Sequence, residues 1–173
     1  MNETIQTLIH RRSCRSFLPE QISEAALEQI LTAGLHAPSA ICRRPWHIVV
    51  LQKPEDIAEL EALNARIMGK PELHPFYGAP TVCVVLVRAD IATGVEDGSL
   101  VLGNMMNAAA SLGVGSCWIH RAYEEFELPE GRALLKRWGV EGQWRGVGHC
   151  ILGLPSGEYR ELPPLPERLV TRV

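Results

Sequence analysis

A chain of 173 residues, 46% apolar and 21% charged, is long enough to bury one sizeable core and too apolar to be disordered or collagen-like. With 17 Lys and Arg against 20 Asp and Glu its formal charge is −3, so it has no global positive field for a polyphosphate backbone, which argues against nucleic acid as a partner. The longest strongly apolar stretch, Val82 to Val87, is far short of the roughly 20 residues that cross a bilayer, and the first residues place an acid early and bases later, the reverse of a secretory signal. The expectation is a cytoplasmic protein with no membrane partner, organised as one domain with a tail from about residue 155 to 173.

In chain order, residues 3 to 10 place Ile5, Leu8 and Ile9 on one face of a short amphipathic helix that ends at the basic run 11 to 15. Ser23 can cap a second helix carrying Leu27, Ile30 and Leu31, which fades near Gly34 before a loop fenced by Pro38 and Pro45. Trp46 to Leu51 is a strand, and Pro54, Glu55 and Asp56 open a helix bearing Ile57, Leu60 and Leu63. Thr81 to Val87, valine-rich throughout, predicts a mid-sheet strand buried on both faces. Asp97 to Leu112 predicts a helix buried on most sides, with Gly113 placed for its C-terminal cap. Strands follow at Ser116 to His120 and Val147 to Leu154, with a helix from Pro129 to Trp138 between them. This alternation of helix and strand suggests, by order alone, a parallel doubly wound sheet.

The motifs narrow the chemistry. Neither Gly113-Val114-Gly115 nor Gly146-Val147-Gly148 leads from a strand into a helix, as a dinucleotide fingerprint requires. The second reads as strand entry; the first is either a helix cap or a corner where a flat ligand approaches the backbone. No H-E-x-x-H, G-x-S-x-G or P-loop string occurs, and no histidine pair is spaced i, i+4 on one helix. The five cysteines, Cys14, Cys42, Cys83, Cys117 and Cys150, form no C-x-x-C pair and read as reduced thiols, mostly packing groups. His149 reads as a core or interface residue, and Glu124, Glu125 and Glu127 as a solvated acidic surface. Arg11, Arg12, Ser13 and Arg15 put three guanidinium groups and a hydroxyl within five residues. They suit a phosphate or a planar oxygen, or else a solvated patch at the end of the first helix.

Taken together, RRSCRSF at 11 to 17, APSA at 37 to 40 leading to RPWHIVV at 44 to 50, FYGAPTVCVVL at 76 to 86, the segment 97 to 122 and GVGHCILGL at 146 to 154 resemble the flavin-dependent nitroreductase family, in its short, single-domain branch. The resemblance implies an α+β fold with a central, mostly antiparallel sheet flanked by helices, built as an intertwined homodimer with FMN at the subunit interface. It therefore replaces the parallel sheet that element order alone suggests. It also implies that Arg11, with Arg12 beside it, and Ser13 hold the FMN phosphate and ribityl chain, that Arg15 stands at the pyrimidine edge, and that Pro38, Ser39, Ala40 and Cys42 reach the flavin from the other subunit. Gly113, Val114 and Gly115 match the segment laid against the ring.

The activity so implied is ping-pong hydride transfer from NADH or NADPH through flavin N5 to an electron-poor small molecule such as a nitroaromatic or quinone, with no side chain acting as a nucleophile. The irregular 64 to 77 region, with Gly69, Pro71 and Pro75, is expected to line the substrate pocket. The chain departs from the family pattern where Cys42 and Arg44 replace the usual amides and where Leu165 stands in a basic string, with Arg168 as a substitute cation. Those departures leave two other readings: a flavin-binding module without turnover, and a structural dimer that has lost its cofactor.

Overall fold

The computed structural model describes residues 1–157, 159, 163–167 and 169–173. Four strands, β1 (Trp46–Leu51), β2 (Thr81–Arg88), β3 (Gly115–Ile119) and β4 (Trp144–Gly153), form one sheet in the order β1-β2-β4-β3. Every neighbouring pair is antiparallel. The parallel arrangement suggested by element order is thus absent, because the connection through the helix after β1 returns the chain beside β1 in the opposite sense. The antiparallel α+β fold is the one observed.

Six helices accompany the sheet among the described residues: α1 (Glu3–His10), α2 (Glu24–Leu35), α3 (Pro54–Ile67), α4 (Gly94–Ser111), α5 (Ala122–Glu127) and α6 (Pro129–Arg137). Local chemistry sets several boundaries, those at Ser23 and Gly113 as expected. Ser23 Oγ accepts from the Ala26 N–H at 3.2 Å, and Asn2 Oδ1 does the same for Ile5 at 3.0 Å. Gly113, at φ 71°, closes α4: its N–H donates to Ala110 O, and the Val114 N–H donates to Ala109 O.

The β2 strand is the spine of the molecule. Its residues from Thr81 to Val87 are all buried, and they divide by the two-residue period of a strand. Cys83, Val85 and Val87 pack with Ile30, Leu102 and Met105 of α2 and α4. Val82, Val84 and Leu86 pack with Leu60, Phe126 and Leu134 of α3, α5 and α6. The sheet is thus covered on both faces, which the continuous apolar run of β2 demands.

Some elements differ from the sequence reading. The α4 helix starts at Gly94 rather than Asp97, and it buries one stripe only; Leu100 is 47% exposed. The β4 strand starts at Trp144, so Gly146-Val147-Gly148 lies inside it, at a bulge where Val85 pairs with Gly148 but Leu86 with Gly146. A Cβ on Gly146 would lie 2.1 Å from Ala122 O, so this glycine permits the start of α5 to touch the strand backbone. The α1 helix buries none of its side chains, leaving Ile5, Leu8 and Ile9 exposed.

Candidate functional site

Residues 11 to 18 run in extended conformation past the ends of β3 and β4. Ser13 bridges Ser116 in parallel, the Cys14 N–H donates to Ser116 O at 2.9 Å, and the Leu18 N–H donates to Leu154 O at 2.8 Å. These bonds string the basic cluster along the edge of the sheet. Arg11 and Arg12 face a cavity of about 360 Å³ bounded by Gly113, Val114, Pro155 and Tyr159. Arg12 is tied to the carbonyls of Ile9 and Arg11, both at 2.9 Å. Arg11 Nη1 is buried with no hydrogen-bond partner among the described residues, as is Ser116 Oγ.

Arg15 lies at a second cavity of about 330 Å³, whose wall is the end of β3 and the turn after it, Cys117 to Arg121, and whose rim includes Met68, Leu73, His74 and Tyr77. The irregular segment after α3 therefore lines a pocket, as its glycine and prolines suggest. Cys117 stands where the basic residues converge: burial pushes its thiol up, and the Ser13 hydroxyl, Arg15 and Arg11 oppose that rise.

Behind this wall lies a buried polar cluster. Glu125, His149 and Asn64 are fully buried. Asn64 Nδ2 donates to His120 O at 2.9 Å and to Glu125 Oε1, while His149 Nδ1 sits 3.2 Å from Ile119 O. His149 Nε2 lies 2.7 Å from Glu125 Oε2, an ion-pair distance, but the contact lacks hydrogen-bonding geometry. The cluster thus clamps two successive carbonyls of the pocket wall. His149 is the core residue expected. Glu125 is not part of a solvated acidic surface: α5 turns its carboxylate inward while Glu124 and Glu127 stay exposed.

The remaining candidates fall in three places. Ser39 and Ala40 are half-buried and Pro38 and Cys42 exposed, in a loop closed by a 3-10 turn with left-handed Ile41, Cys42 and Arg44. That loop is anchored to α4, since Asp97 Oδ1 accepts from the Ala40 N–H at 2.9 Å, and it lines neither cavity. Gly113 and Val114 border the Arg11 cavity rather than the Arg15 cavity, and Gly115 packs against Cys14. Arg168 lies outside the described residues. Residues given no site role from the sequence are Trp118 to Arg121 and Asn64, and Glu125 was read as surface. Of these, only the placement of His120-Arg121 directly after a strand carried a sequence signal.

Residues 8–154 match the nitroreductase family. A protein of Archaeoglobus fulgidus with the provisional name NADH dehydrogenase/NAD(P)H nitroreductase is 33% identical over 160 residues, 91% of this chain and 88% of that protein. A relative of the same provisional name from Methanothermobacter thermautotrophicus is 30% identical over 67% of this chain but only 60% of its own length. The crystal structure of a nitroreductase with bound FMN from Bacteroides fragilis superposes with a TM-score of 0.89 at 30% identity, covering 100% of both chains. The chain belongs to the nitroreductase family.

Proposed function

We infer that this chain is an FMN-dependent oxidoreductase that passes two electrons from NADH or NADPH to an electron-poor small molecule, a nitroaromatic or a quinone, and that it works as a homodimer. The observation that carries the reading is Arg11, a guanidinium whose buried N–H meets no acceptor among the described residues, at the edge of a cavity. A buried donor left unmatched costs about 1–3 kcal/mol, more when it is charged, and a phosphate supplies the missing acceptor. Ser116 Oγ, equally without a partner, and the nearby Ser13 hydroxyl suit a polyhydroxylated chain. The residues therefore fit FMN. Arg11 and Arg12 would hold its phosphate, Ser13 its ribityl chain, and Arg15 the electron-rich edge of its ring, where a cation favours the two-electron reduced form.

Bound flavin supplies hydride acceptance and two-electron delivery, so that NAD(P)H + H⁺ + ArNO₂ gives NAD(P)⁺ + ArNO + H₂O. The chain itself binds and orients. Donor and acceptor use the Arg15 cavity in turn, between the wall 117–121 and the rim 68–77. Two features support a second copy: the 38–42 loop lies away from both cavities of its own chain, and α1 leaves its apolar face unburied.

The test is the absorption spectrum of the purified protein, followed by anaerobic mixing with each nicotinamide. Yellow protein that bleaches rapidly is the expected result, and Arg11→Ala should weaken FMN binding on the order of 100-fold. Colourless protein that takes up no added FMN would sink the reading. Colour that persists with both donors would instead leave a flavin module without turnover.

A further inference from the structure

Arg121 adopts φ 82°, ψ 4°, a left-handed conformation that non-glycine residues avoid. It is nonetheless held from both sides. The carbonyls of Ile119 and His120 are clamped by His149 and Asn64, and Arg121 O accepts from the Glu125 N–H at 2.9 Å. A strained residue kept in place by a fully buried polar cluster is over-determined by its surroundings, and such residues gather at ligand sites. Its side chain lines the 330 Å³ cavity together with Arg15, His74 and His120, and no carboxylate lines that cavity among the described residues. On the rim, His74 contacts Glu61 at 3.2 Å. Arg121 makes no ion pair or side-chain hydrogen bond among the described residues. The rim adds the apolar side chains Met68 and Leu73 and the ring of Tyr77, while the indole of Trp118 turns to the α4 face against Leu102.

We propose that Arg121 is a specificity-determining residue that binds an anionic substituent, a carboxylate or a group of like charge, on the aromatic or quinonoid acceptor. The proposal rests on the oxidoreductase reading above, in which Arg15 is engaged with the flavin and Arg121 is the fixed cation left for the substrate. Arginine suits this task because its planar fork meets a carboxylate with two parallel bonds. Tyr77 and the apolar rim take the ring, and the buried clamp fixes the backbone from which Arg121 reaches the cavity, so the site discriminates by charge rather than by size.

The experiment uses the FMN-loaded protein. Dissociation constants for benzoate and benzamide, measured by calorimetry, report binding without turnover; kcat/KM for 4-nitrobenzoate and 4-nitrobenzamide reports the reaction. Both anions should be preferred, and Arg121→Gly, which relieves the backbone strain, should reduce the anion-to-amide ratio about ten-fold in each measurement. Arg121→Lys, which keeps the charge, should restore most of it. An unchanged ratio in Arg121→Gly, or a wild-type preference for the amides, overturns the proposal. So does a variant that slows only flavin reduction by NADH or NADPH, which would assign the cation to the donor's phosphates. Flavin that neither nicotinamide bleaches is a separate readout, and it removes the oxidoreductase reading along with the proposal.

Discussion

On the α2 and α4 side of the sheet, the buried acid is Asp97, and both of its oxygens are matched: Thr93 Oγ1 donates to one at 3.0 Å and the Ala40 N–H to the other at 2.9 Å. On the α3, α5 and α6 side the buried ionisable groups are Glu125 and His149, joined by Asn64, and here Asn64 Oδ1, Glu125 Oε2 and His149 Nε2 lack hydrogen-bond partners. Each group holds irregular backbone in place, but only the second holds backbone that lines a cavity. The first is a simple clip on the 38–42 loop. The second is a coupled network behind residues 119–121. Burying polar groups is costly, and in this fold the buried ionisable groups stand where an irregular segment must be fixed in place; Thr81 and Ser116 are the other buried polar residues among those described, and the remainder of both cores is apolar.

The largest effect expected is for Glu125→Ala, which leaves an imidazole and an amide buried without their carboxylate; a loss of about 3–5 kcal/mol should appear in urea unfolding. Asp97→Ala should cost less, about 1–3 kcal/mol, because it strands two neutral donors, and it should expose the 38–44 loop to limited proteolysis while leaving the Arg121 selectivity ratio intact. Equal costs for the two would erase the distinction between clip and network. Gly34→Ala probes the apolar contact between α2 and α4. The added Cβ would meet Met105 Cγ at 2.6 Å, but that atom belongs to a flexible side chain that can move aside. A cost of about 1 kcal/mol is expected, and one above about 3 kcal/mol would mean that this face is packed as rigidly as the other.

How much of this was legible in the sequence follows from how far each signal reaches. The caps at Ser23 and Gly113 and the apolar run of β2 were readable because each is written in residues adjacent along the chain. Strand direction was not written in periodicity, which is the same either way; the antiparallel sheet was legible only through the family resemblance. Glu125 was hidden because α5 is only 6 residues long, its neighbours Glu124 and Glu127 are exposed, and its partners Asn64 and His149 come from elsewhere in the chain. The basic cluster was readable as a group. Its division between two cavities was not: four residues of extended chain span about 13 Å, enough to place Arg11 and Arg15 at different ends of β3 once Ser13 pairs with Ser116. Arg121 carried no backbone signal, because arginine has no left-handed preference for a reader to recognise.

The smallest expected effect separates the thiols. Burial alone pushes Cys83 up to about 12, and it raises Cys150 as well. Cys117 is raised too, but Ser13 and the two arginines oppose the shift, and Cys42 is the exposed thiol. Below the unfolded value near 9, both states keep the Cys83 proton and its contribution to stability does not vary with pH. Above it the unfolded chain ionises while the folded chain does not, so stability falls as pH rises, until the folded thiol itself ionises near 12. Cys83→Ala should remove this fall in stability above about pH 9 in paired urea titrations, a shift well under that of any core substitution. In native protein at pH 8 a disulfide reagent should react fast with Cys42 alone and with Cys83 and Cys150 only on unfolding. A Cys117 that reacts before Cys83 would show that the cations on the β3 side reach its sulfur, whereas matching rates would mean that burial dominates on both faces of the sheet.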